Sequence, residues 1–442
     1  MPGVIDFIER KRDGGKHSRE DISMFTAGVR DGTTPDYQTA AWLMAAFIRG
    51  LDQDELAWFT EELAHSGDVV NLPGGGIAVD KHSTGGVGDK TTLIVAPLAA
   101  ACGLRVAKLS GRGLGFTGGT VDKLESIPGM NLRLSTDDFS RLVDNIGIAL
   151  SGHSLSLAPA EVKFYALRDV TGTVPSIPLI ASSIVSKKIA GGAGAFVFDV
   201  KCGSGAFMKN ARRAEALAGA LVDLSASLGR ASVGVISDME QPLGRWVGNS
   251  LEVMEAVEVL SGGGPSDTRD LSIALAAEML LLSGRAEDMI SASKLAAARL
   301  ADGSALEKFK QVVKSQGGDA SVLDDPEHAL PRSSGRAVIS AREDGYVSRM
   351  DAGLVGAAAR ALGGGRMRHE DAIDPSVGLG IFKKIGDFVS KGETIIEVHY
   401  NDERKLDEAL RPLESAYDIA ESALPRRLIL GRVTRETRGA AE

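Results

Sequence analysis

Charged, hydroxylated and glycine residues alternate in Lys81-His82-Ser83-Thr84-Gly85-Gly86-Val87-Gly88-Asp89-Lys90-Thr91-Thr92. Glycines let backbone N–H groups converge on an anion, and a helix beginning at Thr91 adds the partial positive charge of its N-terminus. Lys81 supplies a charge, and Ser83 and Thr92 supply hydroxyl donors. The stretch lacks the Gly-Lys-Ser/Thr ending of a Walker loop. A second loop of the same texture follows, from Ser110-Gly111-Arg112 through Gly118-Gly119-Thr120 to Asp122-Lys123-Leu124-Glu125. Two such loops predict one oxyanion held from two sides, with Ser110 and Thr120 as donors from the second. Asp122 and Glu125 read as structural partners of Arg112 or Lys123. A third segment, Tyr165–Thr171 followed by Ile180–Lys188, brings Arg168, Ser183 and Lys187. Ser183 and Lys187 are four apart and share one helix face. With Arg168 they can bind a flat molecule with carbonyl and imide edges. Taken singly they read otherwise, as an Arg168–Asp169 pair and a solvated Lys187-Lys188.

The elements that must hold these loops follow from pattern. Up to residue 66, Leu43, Met44, Phe47, Ile48, Leu51, Leu56, Phe59 and Leu63 recur at helical spacing. Ser18 with Asp21, Thr34-Pro35, and Asp52 with Glu55 open successive helices. Beyond Asn71, short strands are predicted at Ile77–Val79, Arg105–Lys108, Gly147–Leu150, Phe196–Val200 and Ser232–Ile236. They alternate with helices such as Thr91–Ala101 and Arg212–Leu228, which indicates a mainly parallel sheet. Ser261-Gly262-Gly263-Gly264-Pro265 is a break before a helical run from Thr268 to Ser315. Ala337–Val347 and Ile381–Tyr400 read as strands of a last unit. That unit resembles a biotinyl or lipoyl half-barrel, but no lysine lies between Arg342 and Lys383 to carry a group, so it reads as structural.

Composition bounds the function. The chain has 442 residues and a formal net charge of −9, which favours two or three domains and argues against a surface that grips nucleic acid or anionic lipid. Two cysteines, Cys102 and Cys202, suit a reducing compartment. No signal-peptide order is present, and apolar windows such as Thr92–Ala107 are broken by Pro97, Gly103 and Arg105. These features predict a cytoplasmic protein.

Taken in order, the three segments resemble the thymidine and pyrimidine-nucleoside phosphorylase family. The likeness extends over nearly the whole chain, through DVKCGSGAFM (Asp199–Met208) and QPLGRWVGNSL (Gln241–Leu251), and SGRGLGFTGGTVDKLESIPG is close to the family signature. The resemblance implies phosphorolysis: inorganic phosphate displaces a pyrimidine from C1′ of ribose or deoxyribose through an oxocarbenium-like transition state, with no cofactor required. It implies phosphate ligands at Lys81, Ser83, Thr92, Ser110 and Thr120, to which Lys108 is added. Base ligands fall at His82, Arg168, Ser183 and Lys187, with Leu114, Tyr165 and Ile180 as walls; His82, Arg168 and Lys187 are the catalytic set. The implied fold is α/β: an all-α lobe (1–66 and 156–190), an α/β phosphate-binding domain (67–155 and 191–336), and a C-terminal barrel-sandwich-like α+β unit (337–442). A homodimer through the α lobes is also implied.

Departures from the family pattern carry further expectations. Lys108 stands where members restricted to deoxyribonucleosides have an apolar residue, which favours acceptance of uridine as well as thymidine; the alternative is that it only adds charge to the phosphate pocket. Phe116 and His153 replace a common histidine and glutamine. Broad-specificity relatives bind a monovalent cation near Gly88, the Leu243–Trp246 backbone and Glu255. Here Lys90 replaces a threonine, and its ammonium is expected to take the place of a potassium ion. The rival readings are a thymidine-restricted phosphorylase, an anthranilate-type phosphoribosyltransferase and a non-catalytic carrier or binding protein.

Overall fold

Apolar spacing and capping chemistry build the N-terminal bundle as expected. Helices α1 (Val4–Arg12), α2 (Arg19–Asp31), α3 (Asp36–Arg49) and α4 (Gln53–Ala64) follow one another through short turns. Ser18–Asp21 and Asp52–Glu55 form capping boxes, each pair satisfying two backbone donors reciprocally. Pro35 caps α3 from just outside instead of occupying its first turn. Phe7, Phe25, Trp42 and Phe59 bury together, and Phe164 and Leu179 from later in the chain join them. The computed structural model describes residues 3–113, 118–154, 156–366 and 371–439.

The second layer is a sheet. In chain order come β1 (Ala78–Ser83), α5 (Thr91–Ala101), β2 (Arg105–Ser110), α6 (Thr120–Leu124), α7 (Thr136–Ile146), β3 (Ile148–Gly152), α8 (Pro159–Thr171), α9 (Ile177–Ala190), β4 (Ala195–Cys202), α10 (Ala211–Ser227) and β5 (Ala231–Asp238). β5, β4, β1, β2 and β3 lie side by side in that order, all parallel. Both faces are covered, so the strands are buried along most of their length instead of alternating with exposed residues. β1 runs further than its apolar run predicts: Asp80, Lys81, His82 and Ser83 pair with Phe196 to Asp199 of β4. Polar residues can sit in a central strand here because buried carboxylates meet its lysine and serine.

The expected helical run from Thr268 is three helices, Ser266–Leu282, Met289–Ala301 and Ser304–Ser315, divided at Gly284 and Gly303 where positive φ reverses the chain. The C-terminal unit is antiparallel and interlocked with the rest. β6 (Trp246–Val247), β7 (Gly335–Ser340), β9 (Gly378–Ile381) and β11 (Thr394–Tyr400) form one sheet; β8 (Gly345–Met350), β10 (Phe388–Val389) and β12 (Tyr417–Ala420) form another. The predicted strand Ala337–Val347 is thus β7, a turn and β8. β13 (Ile429–Val433) returns to pair antiparallel with β5 and closes that edge of the main sheet. Neither exchange of strands is visible in local sequence. Among the described residues, no helix is long and apolar enough to cross a membrane.

Candidate active site

Ligand sites in parallel sheets lie beyond the carboxyl ends of the strands, and both glycine-rich segments leave such ends. Strand alternation puts Lys81 and Ser83 on the face that α5 covers, and Asp80 and His82 on the face towards α9, where Lys108 also reaches Asp80. Lys81 donates to Thr91 Oγ1 at 2.5 Å and lies 3.5 Å from Asp199. Ser83 Oγ donates to Asp89, and Asp89 also accepts from Thr91. Lys201 completes the group, 2.7 Å from Asp199.

These charges set one another. Burial pulls the Lys81 ammonium below its ordinary range, with Asp89 and Asp199 pulling the other way. Burial pushes Asp89 up, but Lys201, Lys81 and the two hydroxyls outweigh it and hold the carboxyl well below its usual range. Burial also opposes the Lys201 charge, yet Asp199 and Asp89 raise it. Thr92 is buried in the first turn of α5, Ser110 is buried at the end of β2, and Thr120 opens α6.

Asp80 serves two ammonium groups. Lys188 Nζ lies 2.7 Å from one of its oxygens and Lys108 Nζ 3.6 Å from the other, and both lysines donate to the Leu109 carbonyl. The cluster therefore sets two lysines against one local carboxylate. Burial first, then Lys188 and Lys81, hold the Lys108 ammonium well below its usual range. His82 lies within reach of the same cations: burial first, then Lys188, Lys108, Lys81 and Lys187, keep its imidazole well below the ordinary value and neutral at pH 7. His153 stands just past β3 with an exposed side chain; desolvation, then Lys187, Lys188 and Lys108, pull its imidazole below the ordinary value.

The residues expected to bind the base are on α8 and α9. Ser183 and Lys187 do share a face, and what they face is Glu161, a buried carboxylate whose importance the sequence reading missed. Ser183 Oγ donates to one of its oxygens and Lys187 Nζ lies 2.7 Å from the other. Tyr165 lies beneath both cations, its ring centre 5.1 Å from Lys187 Nζ and 5.9 Å from the Arg168 guanidinium carbon. Arg168 does not pair with Asp169: it donates to the carbonyls of Leu179 and Val174, and its buried Nε has no partner among the described residues. Ile180 is half-buried against the cluster that includes Ile184 and Leu217. Leu114 and Phe116 lie outside the described residues. Because Lys188 docks on Asp80 while Lys187 meets Glu161, helix α9 sets the spacing between the two halves.

The signature loop is anchored at its second end. Arg112 meets both Asp122 and Glu125, as expected, whereas Lys123 pairs with Glu252 instead. Asp122 also accepts from the Gly113 N–H and from Arg366, so the C-terminal unit grips the loop.

The expected cation position is filled by protein. Lys90 Nζ donates to Leu243 O at 3.0 Å and Trp246 O at 2.8 Å, and lies 3.1 Å from Glu255 Oε1. The side chains of Lys90 and Glu255 are both 0% exposed. Gly88 has φ +70°, and a Cβ there would stand 2.5 Å from the Leu243 carbonyl oxygen, so glycine is needed to let the loop approach. An ammonium already coordinated by these oxygens leaves no shell for a potassium ion. The residues present do not fit the metal.

A helical bundle beside a parallel α/β domain places the protein among glycosyl transferases of one fold. The profile described as "Glycosyl transferase family, helical bundle domain" matches residues 5–67, and "Glycosyl transferase family, a/b domain" matches 75–306. A crystal structure of anthranilate phosphoribosyltransferase from Thermus thermophilus shares the fold, with a TM-score of 0.59 and 18% identity over 70% of this chain and 98% of that one. The profile "Pyrimidine nucleoside phosphorylase C-terminal domain" matches 346–420. The pyrimidine-nucleoside phosphorylase of Staphylococcus haemolyticus (strain JCSC1435) is 49% identical over 427 residues, 96% of this chain and 98% of the relative. That of Geobacillus stearothermophilus is 50% identical over 402 residues, 91% and 93% of the two chains. The chain belongs to the pyrimidine-nucleoside phosphorylase family.

Proposed function

We propose that the protein catalyses the reversible phosphorolysis of uridine, thymidine and deoxyuridine to the free base and pentose 1-phosphate. The observation that supports this most directly is the pairing of two unlike half-sites across α9. One is a lysine-rich cluster at the strand ends, suited to a phosphate dianion. The other is an Arg168, Ser183 and Lys187 set suited to an imide edge.

In this reading Lys81, Ser83, Thr92, Lys108, Ser110 and Thr120 bind and aim phosphate, and Tyr165 supports the ring. Negative charge grows on the departing base, where Arg168 and Lys187 stabilise it. Neutral His82 acts as a hydrogen-bond donor towards the 2-carbonyl rather than as a pre-formed acid. Lys90 makes a potassium ion unnecessary. The exposed apolar stripe of Tyr37, Met44 and Ile48 along α3 supports a homodimer through the helical lobes.

Nucleoside cleavage with and without phosphate tests the reading, with uridine, thymidine, cytidine and inosine compared in the presence of chelator. Phosphate-dependent release of uracil and thymine is expected. Release of thymine alone would remove the broad specificity, and no phosphate-dependent release would send the assignment to a phosphoribosyltransferase. Lys108→Met addresses the 2′-hydroxyl. If the ammonium serves the sugar, kcat/KM for uridine should fall about 10-fold more than that for deoxyuridine, the worth of one hydrogen bond to a charged donor. An equal fall for both would leave Lys108 as a phosphate ligand only.

A further inference from the structure

Glu161 takes no part in the steps above, yet it touches two of the residues assigned to the base. It is buried, at the first turn of α8, and its two carboxylate oxygens are divided between Ser183 Oγ and Lys187 Nζ. We infer that Glu161 is a specificity-determining positioning residue that reads the imide edge of the base through Ser183 and Lys187. This rests on the nucleoside reading proposed above and deepens it.

The argument is one of hydrogen-bond polarity. A serine hydroxyl has one hydrogen and two lone pairs, and an ionised carboxylate can only accept. With Lys187 2.7 Å from its other oxygen, Glu161 is held as the carboxylate partner of an ammonium. Ser183 must then give its only hydrogen to Glu161, and what it can offer a ligand is an acceptor. Lys187 has three hydrogens and spends one on Glu161, so what it offers is a donor. Acceptor beside donor is the complement of N3–H beside C4=O, the edge shared by uracil and thymine. Cytosine presents the reverse, a bare N3 beside an amino group, and would set lone pair against lone pair and N–H against N–H. A site whose buried polar groups have fixed polarity rejects the mismatched ligand far more strongly than a merely shape-matched one. Without Glu161, the serine hydroxyl could rotate to donate and the distinction would weaken.

The test compares kcat/KM for uridine and cytidine at saturating phosphate, with uracil and cytosine binding measured calorimetrically as a readout free of turnover. The unaltered protein should prefer uridine by roughly 10³-fold or more. Glu161→Gln supplies an amide N–H that can donate to Ser183, and should lower that preference at least about 10-fold. Glu161→Asp keeps an acceptor-only carboxylate and should hold the preference even where its rate falls. An unchanged ratio in folded Glu161→Gln overturns the inference. Where that variant fails to fold, Ser183→Ala decides. It removes both the acceptor for N3–H and the clash with bare N3, so the ratio must narrow, and an unchanged ratio is equally fatal. Failure of the phosphorylase reading looks different: the unaltered protein would then release no base from uridine at all, and the calorimetric comparison would still decide the polarity of the site.

Discussion

Replacing Lys90 by methionine should destabilise the protein by about 3–5 kcal/mol, the usual cost of stranding one partner of a buried ion pair. Its ammonium is shared among Leu243 O, Trp246 O and Glu255 Oε1, and the Lys90 and Glu255 side chains are both fully buried. Glu255 would keep the backbone N–H groups of Arg245 and Trp246 and the Thr268 hydroxyl, enough to orient the carboxylate but not to neutralise it. Lys90→Thr should behave differently. It shortens the side chain and leaves oxygens around a space where a monovalent cation can substitute for the ammonium. Its unfolding temperature should therefore rise with potassium chloride but not with choline chloride at equal ionic strength, gaining about 2.7 kcal/mol when the ion is at 100 times its Kd. The unaltered protein should show no such response. Potassium-dependent stability in the unaltered protein, or a methionine variant as stable as its parent, would each defeat the substitution of ammonium for metal.

How much of this was legible in the sequence depends on the range of the interaction that decides it. Capping boxes and the turns at Gly284 and Gly303 are local, so helix positions follow from a few residues each, although the long helical run concealed two breaks. The candidate ligands are legible because glycine, hydroxyl and lysine side chains gather in short loops. Their counter-ions are not. Asp80, Asp89, Asp199 and Glu161 are single carboxylates inside ordinary strands and helices, and only folding brings each to a lysine. The polar length of β1 escaped an apolar-run criterion for the same reason, since Lys81 and Ser83 are tolerated only beside those carboxylates. The exchanges of β6 and β13 between units are decided by pairing between residues far apart in the chain and leave no local mark. One hint was available: Ser183, Lys187 and Glu161 all stand on helices joined by a short turn, where a carboxylate near two expected base ligands merits a question.

Loss of the Arg168 charge should cost far more activity than stability. Arg168 is 3% exposed, and no ion pair among the described residues includes it; its bonds go to the carbonyls of Leu179 and Val174. Burial accordingly pulls its guanidinium below the ordinary range. A desolvated cation that hydrogen-bonds only carbonyls, with Glu161 acting on it from a distance, is unfavourable for folding, and such placements persist where the charge is needed for chemistry. Lys187 differs, because Glu161 already answers its charge. In the proposed reaction Arg168, which has no direct ion pair among the described residues, is the cation with more of its charge uncommitted towards negative charge growing on the leaving base, in a site where low dielectric magnifies it. Arg168→Met should lower kcat/KM by about 10²–10³-fold, mostly through kcat, with an unfolding midpoint little changed or raised. Arg168→Lys keeps the charge but cannot bridge both carbonyls, and should fall between the two. If methionine instead lowers the unfolding midpoint steeply while the folded fraction keeps its kcat, Arg168 is a strut between α8 and α9, and stabilisation of the leaving base must be assigned to Lys187 and His82.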